Sequence, residues 1–167
     1  MTDKFLYNNA GTITEKTATV VSTGVSQAGQ VTALDSTGHL DNSVMPVGIG
    51  ADTVSIVASE ALSAGQFVNI YNNAGTPNCR KADNTTTGKE ANGFVLAAVS
   101  SAASATIYLA GQNTQLTGQV AGPVFLGTAG AVVASAPTGS GNVVQRVGIA
   151  VSATVVEFRP YSPIVLA

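Results

Sequence analysis

Val143-Val144-Gln145-Arg146-Val147-Gly148-Ile149-Ala150-Val151, then Ser152, then Ala153-Thr154-Val155-Val156-Glu157-Phe158-Arg159 is the stretch that decides the fold. Its apolar residues recur at every second position, which is the period of a strand and not of a helix. In the first half, Val143, Gln145, Val147, Ile149 and Val151 form one face, apolar except for Gln145, and are expected to point at a core. In the second half, Thr154, Val156 and Phe158 alternate with Val155, Glu157 and Arg159, so the charged pair belongs on the outer face. Ser152 alone separates the two runs, as an antiparallel corner or a bulge. Across such a pair Glu157 is expected to meet Arg146, in a solvated-face role worth a fraction of a kcal/mol.

The same grammar extends through the chain. Val, Thr and Ile are plentiful and the usual helix fillers Lys, Glu, Leu and Arg are scarce, a balance that favours pleated surfaces. Strands are expected at 17–22, Thr53–Ala58, 67–71, 78–81, 94–99, 105–110, 123–126, 131–134, 143–151 and 153–159. Many short strands separated by turn signals predict an all-β protein with a barrel- or sandwich-like domain. Tyr7-Asn8-Asn9-Ala10-Gly11-Thr12 recurs as Tyr71-Asn72-Asn73-Ala74-Gly75-Thr76. Asn and Gly accept positive φ cheaply, so both copies read as hairpin turns.

The regular pattern begins only after a break at 33–50, where Asp35-Ser36-Thr37-Gly38 forms a turn. Asp41-Asn42-Ser43 starts a single helical turn there, and Pro46 with two glycines ends it. The chain is therefore divided into an N-terminal arm with its connector (1–50), a β-domain (51–160) and a tail (161–167). The tail carries Pro163 and an apolar end, expected to pack on a neighbour or back onto the domain.

Composition narrows the function. Charged residues make up 10% of the 167, against about 25% in an average soluble domain, and mean hydropathy is +0.30. The longest clean apolar run, 94–99, is far short of the roughly 20 residues that span a bilayer, so no membrane partner is expected. The N-terminus has no apolar core of a secretory signal. Cys79 is the only cysteine, which excludes an internal disulfide framework and a cysteine metal cluster. A net charge of −2 with no basic stripe speaks against nucleic acid. Abundant small polar residues make a neutral, hydrogen-bonding surface that can meet another surface without desolvating ions.

No arrangement for catalysis emerges. His39 is the sole histidine and sits in a Gly-His-Leu turn with Asp35 and Asp41 nearby in sequence, but no Gly-x-Ser-x-Gly elbow exists. A lone His and a lone Cys cannot fill a zinc site. Thr86-Thr87-Gly88-Lys89-Glu90 has Asp83 and Glu90 where a phosphate loop needs Gly and Ser or Thr. Gly48-Ile49-Gly50 has Thr53 in place of the third glycine of a dinucleotide fingerprint. Asp35 with Asp41, and Asp83 with Glu90, are carboxylate pairs in turn-like segments, read as turn formers more readily than as a glycosidase pair or a Ca²⁺ site. The expectation is a non-enzyme with no cofactor, no metal and no small-molecule substrate.

Several stretches resemble one family. These are Ala33-Leu34-Asp35, Gly38-His39-Leu40-Asp41 and Met45-Pro46-Val47-Gly48-Ile49-Gly50-Ala51-Asp52 in the connector. In the domain they are Ala58-Ser59-Glu60-Ala61-Leu62-Ser63-Ala64-Gly65-Gln66-Phe67-Val68-Asn69-Ile70, Arg80-Lys81-Ala82-Asp83, Gly93-Phe94-Val95-Leu96-Ala97-Ala98-Val99, Tyr108-Leu109-Ala110-Gly111-Gln112-Asn113 and Val147-Gly148-Ile149-Ala150. Together they resemble the decoration, or cement, proteins of tailed-bacteriophage heads, as a pattern of turns and strands spanning nearly the whole chain.

The resemblance implies a compact, β-tulip-like domain preceded by an extended arm. It implies a homotrimer seated on the outer surface of an HK97-type shell, with the major capsid protein as partner and shell stabilisation as the role. Thr17, Ala18, Thr19, Val20 and Val21 are then candidates to add a strand to a partner, or to pair with their own domain. Leu40, Val44 and Met45 are candidates for a capsid or trimer contact, or for packing under the domain. The competing expectations are a head-fibre, tail or baseplate accessory protein, and a secreted glycan-binding β-module. The latter is weakened by the absence of Trp.

Overall fold

A computed structural model of the chain describes residues 4–45 and 51–167. The 46–50 part of the connector, read above as ending a helical turn, lies outside these residues. The protein is all-β, with two single-turn 3-10 segments among the described residues. It divides into two units, Met1–Ala51 and Asp52–Ala167.

In the first unit β1 (Lys4–Asn9) and β2 (Thr12–Thr17) form an antiparallel hairpin. Irregular chain follows, with 3-10 turns at Val25–Gln27 and Asn42–Val44. Asp41 caps the second turn by accepting from the Ser43 N–H, where the sequence places a helical start. The expected strand at 17–22 is not one. Thr17 ends β2, and beyond it only Thr19 bridges, in parallel, to Thr32.

The second unit is built from β3 (Thr53–Ala58), β4 (Phe67–Asn73), β5 (Thr76–Lys81), β6 (Gly93–Phe94) and β7 (Ser104–Tyr108), closed into a barrel in the order β3-β5-β4-β6-β7. β8 (Gly111–Asn113), β9 (Gly122–Leu126), β10 (Val132–Val133), β12 (Arg146–Ala150) and β13 (Val156–Phe158) make a five-stranded sheet in the order β10-β9-β12-β13-β8. The tail folds back, its β14 (Ile164–Val165) pairing with β11 (Val143–Val144).

Two cores follow from alternation along β4 and β6. Val68 and Val95 point into the barrel with Ala58, Leu62, Cys79 and Ile107. Their neighbours Phe67 and Phe94 point outward, onto Val124, Leu126, Val147, Val156 and Phe158 of the sheet. Phe67, Phe94 and Phe158 meet at centroid distances of 5.5–6.1 Å. Such pairs add about 0.5–1.5 kcal/mol each beyond the area they bury. Gln145 is buried as its place in the alternation requires, and its amide replaces a strand partner. Oε1 accepts from the Ala91 N–H (2.7 Å) and Nε2 donates to the Ala91 carbonyl (3.0 Å).

The deciding stretch departs from simple alternation at one place. Arg146 pairs with Phe125 but Gly148 pairs with the next residue, Val124, so the strand carries a bulge at Val147. A bulge shifts the faces by one residue. Gly148 and Ala150 therefore turn inward, and Ile149 (41% exposed) and Val151 (54%) lie outside, contrary to the expectation that both face the core. On the other edge of β12, Glu157 stands opposite Ile149, so Glu157 does not pair with Arg146. Its carboxylate lies 3.6 Å from Arg159 Nε, while the Arg146 guanidinium stacks 4.9 Å above the Tyr161 ring. The inward placement of Val156 and Phe158 holds.

Both copies of the repeated hexapeptide are two-residue hairpin turns. The residue at positive φ ahead of the glycine is alanine, not asparagine: Ala10 at 51° and Ala74 at 50°. The asparagine side chains close the turns instead, Asn8 and Asn72 each accepting from the following glycine N–H at 2.7 Å. A left-handed alanine costs roughly 1–2 kcal/mol, and asparagine suits that position of a type I′ turn. Ala74→Asn is expected to raise stability by up to about 1 kcal/mol in denaturant unfolding. At the bulge, a Cβ on Gly148 would stand 2.0 Å from the Glu157 carbonyl oxygen, a backbone atom that cannot step aside. Gly148→Ala is expected to cost about 3 kcal/mol or to prevent folding, measured in the same way.

Candidate functional site

The first unit has no buried residue among those described. Among these residues seven large apolar side chains are exposed, including Val25 (92%), Leu6 (70%) and Ile13 (62%). The hairpin explains part of this. Leu6 and Ile13 sit on its exposed face, beside the Lys4–Glu15 ion pair (2.7 Å). On the other face Phe5, Tyr7, Thr14 and Lys16 are half-buried, and the Lys16 ammonium lies 5.1 Å over the Tyr7 ring.

At the end of β2 a groove of about 440 Å³ is lined by Lys16, Thr17, Ala18, Thr19, Val20, Val21, Gln27 and Gln30. Five of the eight contact candidates line it together. Thr19 is held from one side, its N–H donating to the Val31 carbonyl (2.8 Å) and its carbonyl accepting from Ala33 (2.9 Å). The Ser22 N–H donates to Ser43 Oγ (2.7 Å), tying the turn that carries Val44 to the end of this segment. Leu40 is exposed, and Val44 and Met45 are half-buried; none of the three lines the groove.

The carboxylates considered for chemistry serve turns. Asp35 Oδ1 accepts from the Thr37 N–H, the Thr37 hydroxyl and the His39 N–H. The bonds from His39 and Thr37 hold its carboxyl at about 2. Glu90 accepts from the Gly88 N–H. Asp83 joins two loops: Oδ1 accepts from the Thr85 N–H and hydroxyl, and Oδ2 from the Ala129 N–H at 2.9 Å. Ala129 is itself a left-handed residue ahead of Gly130.

The second unit presents a surface that the sequence reading missed. The outer face of the sheet carries Val133, Phe125, Pro123 and Ile149 in adjacent register positions, an apolar stripe where an open antiparallel sheet is commonly polar. Ile149 joins that stripe only through the bulge. A strand's period does not announce where an extra residue enters, and the one local signal was Gly148 in a strand interior.

No family model and no curated protein matches the chain. Among solved structures it is similar to the head fiber gp8.5 N base of bacteriophage phi29, at 13% identity and a TM-score of 0.45, over 68% of this chain and 95% of that one. A likeness of that degree carries no argument about function.

Burial raises the Asp83 carboxyl, but the bonds from Thr85 and Ala129 outweigh it and hold it below the ordinary carboxylate value. A depressed folded pKa contributes stability above the unfolded value of about 3.9, and that stability is lost as pH falls through the folded value. Asp83→Asn is therefore expected to lower the melting temperature at pH 6, with the gap to the unsubstituted chain narrowing below about pH 4. A constant gap across that range would refute the role of the charge.

Proposed function

We propose that this chain is a structural virion protein of a tailed bacteriophage, binding the outer surface of an HK97-type capsid and stabilising the shell by bridging its subunits. The major capsid protein is its partner, and the protein associates with itself as a homotrimer. The observation that carries the reading is the first unit. A segment of that size with no cysteine and no fully buried side chain among its described residues is too small to hold a fold by itself. Its exposed apolar residues make sense as surface that another protein covers. The resemblance of the connector and of the β-domain segments to head decoration proteins supplies the kind of partner. Few charges on either unit suit contact with a crowded lattice, because neutral surfaces meet without the cost of desolvating ions.

The second unit holds the buried residues of both cores and is expected to fold without the first. The test is co-sedimentation with DNA-filled heads purified without the protein. The full chain is expected to pellet with the heads, and a chain of residues 52–167 to stay folded and bind at least tenfold more weakly. Equal binding by the two would refute the role of the N-terminal unit, and no binding by the full chain would refute the head assignment.

A further inference from the structure

The barrel is zipped by ladders at every seam but one. Between β6 and β7 there is a single pair, Phe94 with Tyr108. Past that point residues 95–99 leave β7 and follow the chain at 62–66. Val95 donates to the Gln66 carbonyl (3.0 Å) and accepts from Gly65 (2.8 Å), and Leu62 and Val99 exchange two bonds of 2.8 and 2.9 Å. β7 runs on to Ser104 against β3, with no further ladder pair on its other side among the described residues. Alternate residues of a strand direct their N–H and C=O to opposite sides, so β7 is an edge strand within a closed barrel.

The gap is a groove of about 310 Å³, with Leu96 to Val99 on one bank and Ser104, Thr106 and Tyr108 on the other. Apart from the Tyr108 phenol no ionisable group lines it. Ala97 and Ala98 are exposed and leave clearance above their bank. The Tyr108 ring stacks on Phe94 at 5.4 Å and 19°, which takes up one aromatic face a sugar ring would use.

We propose that this seam is a docking slot for an extended, uncharged polypeptide strand of a partner protein, completing the interrupted ladder along β7. Main-chain groups on β7 would give affinity, as in other cases of strand addition at an edge. Ser104 and Thr106, two residues apart on the outer face, match a strand's repeat; the Ser104 hydroxyl already bonds Ser55 Oγ (2.7 Å), which leaves the Thr106 hydroxyl as the side-chain group offered to the added strand. A charged side chain would find no counter-ion there and would lose solvation on entry, which sets the preference for a neutral strand. The inference rests on the reading of this chain as one that binds other proteins, and it gives the β-unit a contact of its own.

The probe is acetyl-Thr-Val-Thr-Val-Thr-amide, titrated into the isotopically labelled full chain and followed by amide chemical shifts. Saturable shifts confined to 96–99 and 104–108 are expected. They should be lost when alternate peptide nitrogens are methylated, and lost in Ala97→Trp, whose side chain fills the gap and whose folding the same spectra report. The methylated peptide needs no variant, so the test stands even where Ala97→Trp fails to fold. No shifts at these amides, equal shifts with the methylated peptide, or the same shifts with a neutral oligosaccharide would overturn the proposal. Failure here leaves head binding by the N-terminal unit measurable, and failure of head binding leaves peptide binding measurable, so the two are read apart.

Discussion

The second unit depends on two pairs of neighbouring residues, Phe67-Val68 and Phe94-Val95, sending their side chains to opposite sides of one wall. A strand buried on a single face would serve one core. Here the valines fill the barrel while the phenylalanines pack on Phe158 and the sheet beyond. One short stretch of backbone thus holds barrel and sheet together. The cost is that β6 and its surroundings must satisfy packing on both sides with very small residues: a Cβ on Gly93 would stand 2.5 Å from Ile107 and 2.7 Å from the Tyr108 carbonyl. The same demand accounts for the brevity of β6. Val95, drawn into the barrel, bonds to Gly65 and Gln66, which leaves the β6 side of β7 with the one pair at Tyr108 among the described residues.

Against that well-filled unit the first one is unfinished. Its hairpin has correct turn chemistry and a cross-strand ion pair, yet none of its side chains is fully buried, and an isolated two-stranded hairpin is marginal in water. The bulge at Val147 acts in the same direction on the β-unit, moving Ile149 and Val151 from core to surface. Apolar residues placed outside by a specific backbone device, together with a unit none of whose described residues is fully buried, are features the proposed binding role would use. Both features agree with a protein whose stability and position come partly from an assembly.

Much of this was legible in the sequence. Period-two alternation placed β3 at its observed bounds and located most other strands, because in a two-sided wall the inward residues are still Val, Ile and Phe. The hexapeptide repeat marked two hairpins correctly, although the strain fell on Ala10 and Ala74 and not on the asparagines. What was not legible was long-range. The bulge depends on where β9 pairs, and the departure of 95–99 from β7 depends on competition with 62–66; neither is written in local composition. The 17–22 segment looked like a strand because it is β-branched and uncharged, but a strand needs a ladder: Thr17 ends that of β2, and beyond it Thr19 makes a single bridge. The five contact candidates there do share a groove, while Leu40, Val44 and Met45 lie outside it.

The central claim is that the protein sits on the outside of a phage head, and location tests it most directly. Immunogold labelling of purified virions with antibody raised against residues 52–167 is predicted to place gold over the heads. Gold confined to the tail or its tip, or virions left unlabelled, would contradict the account.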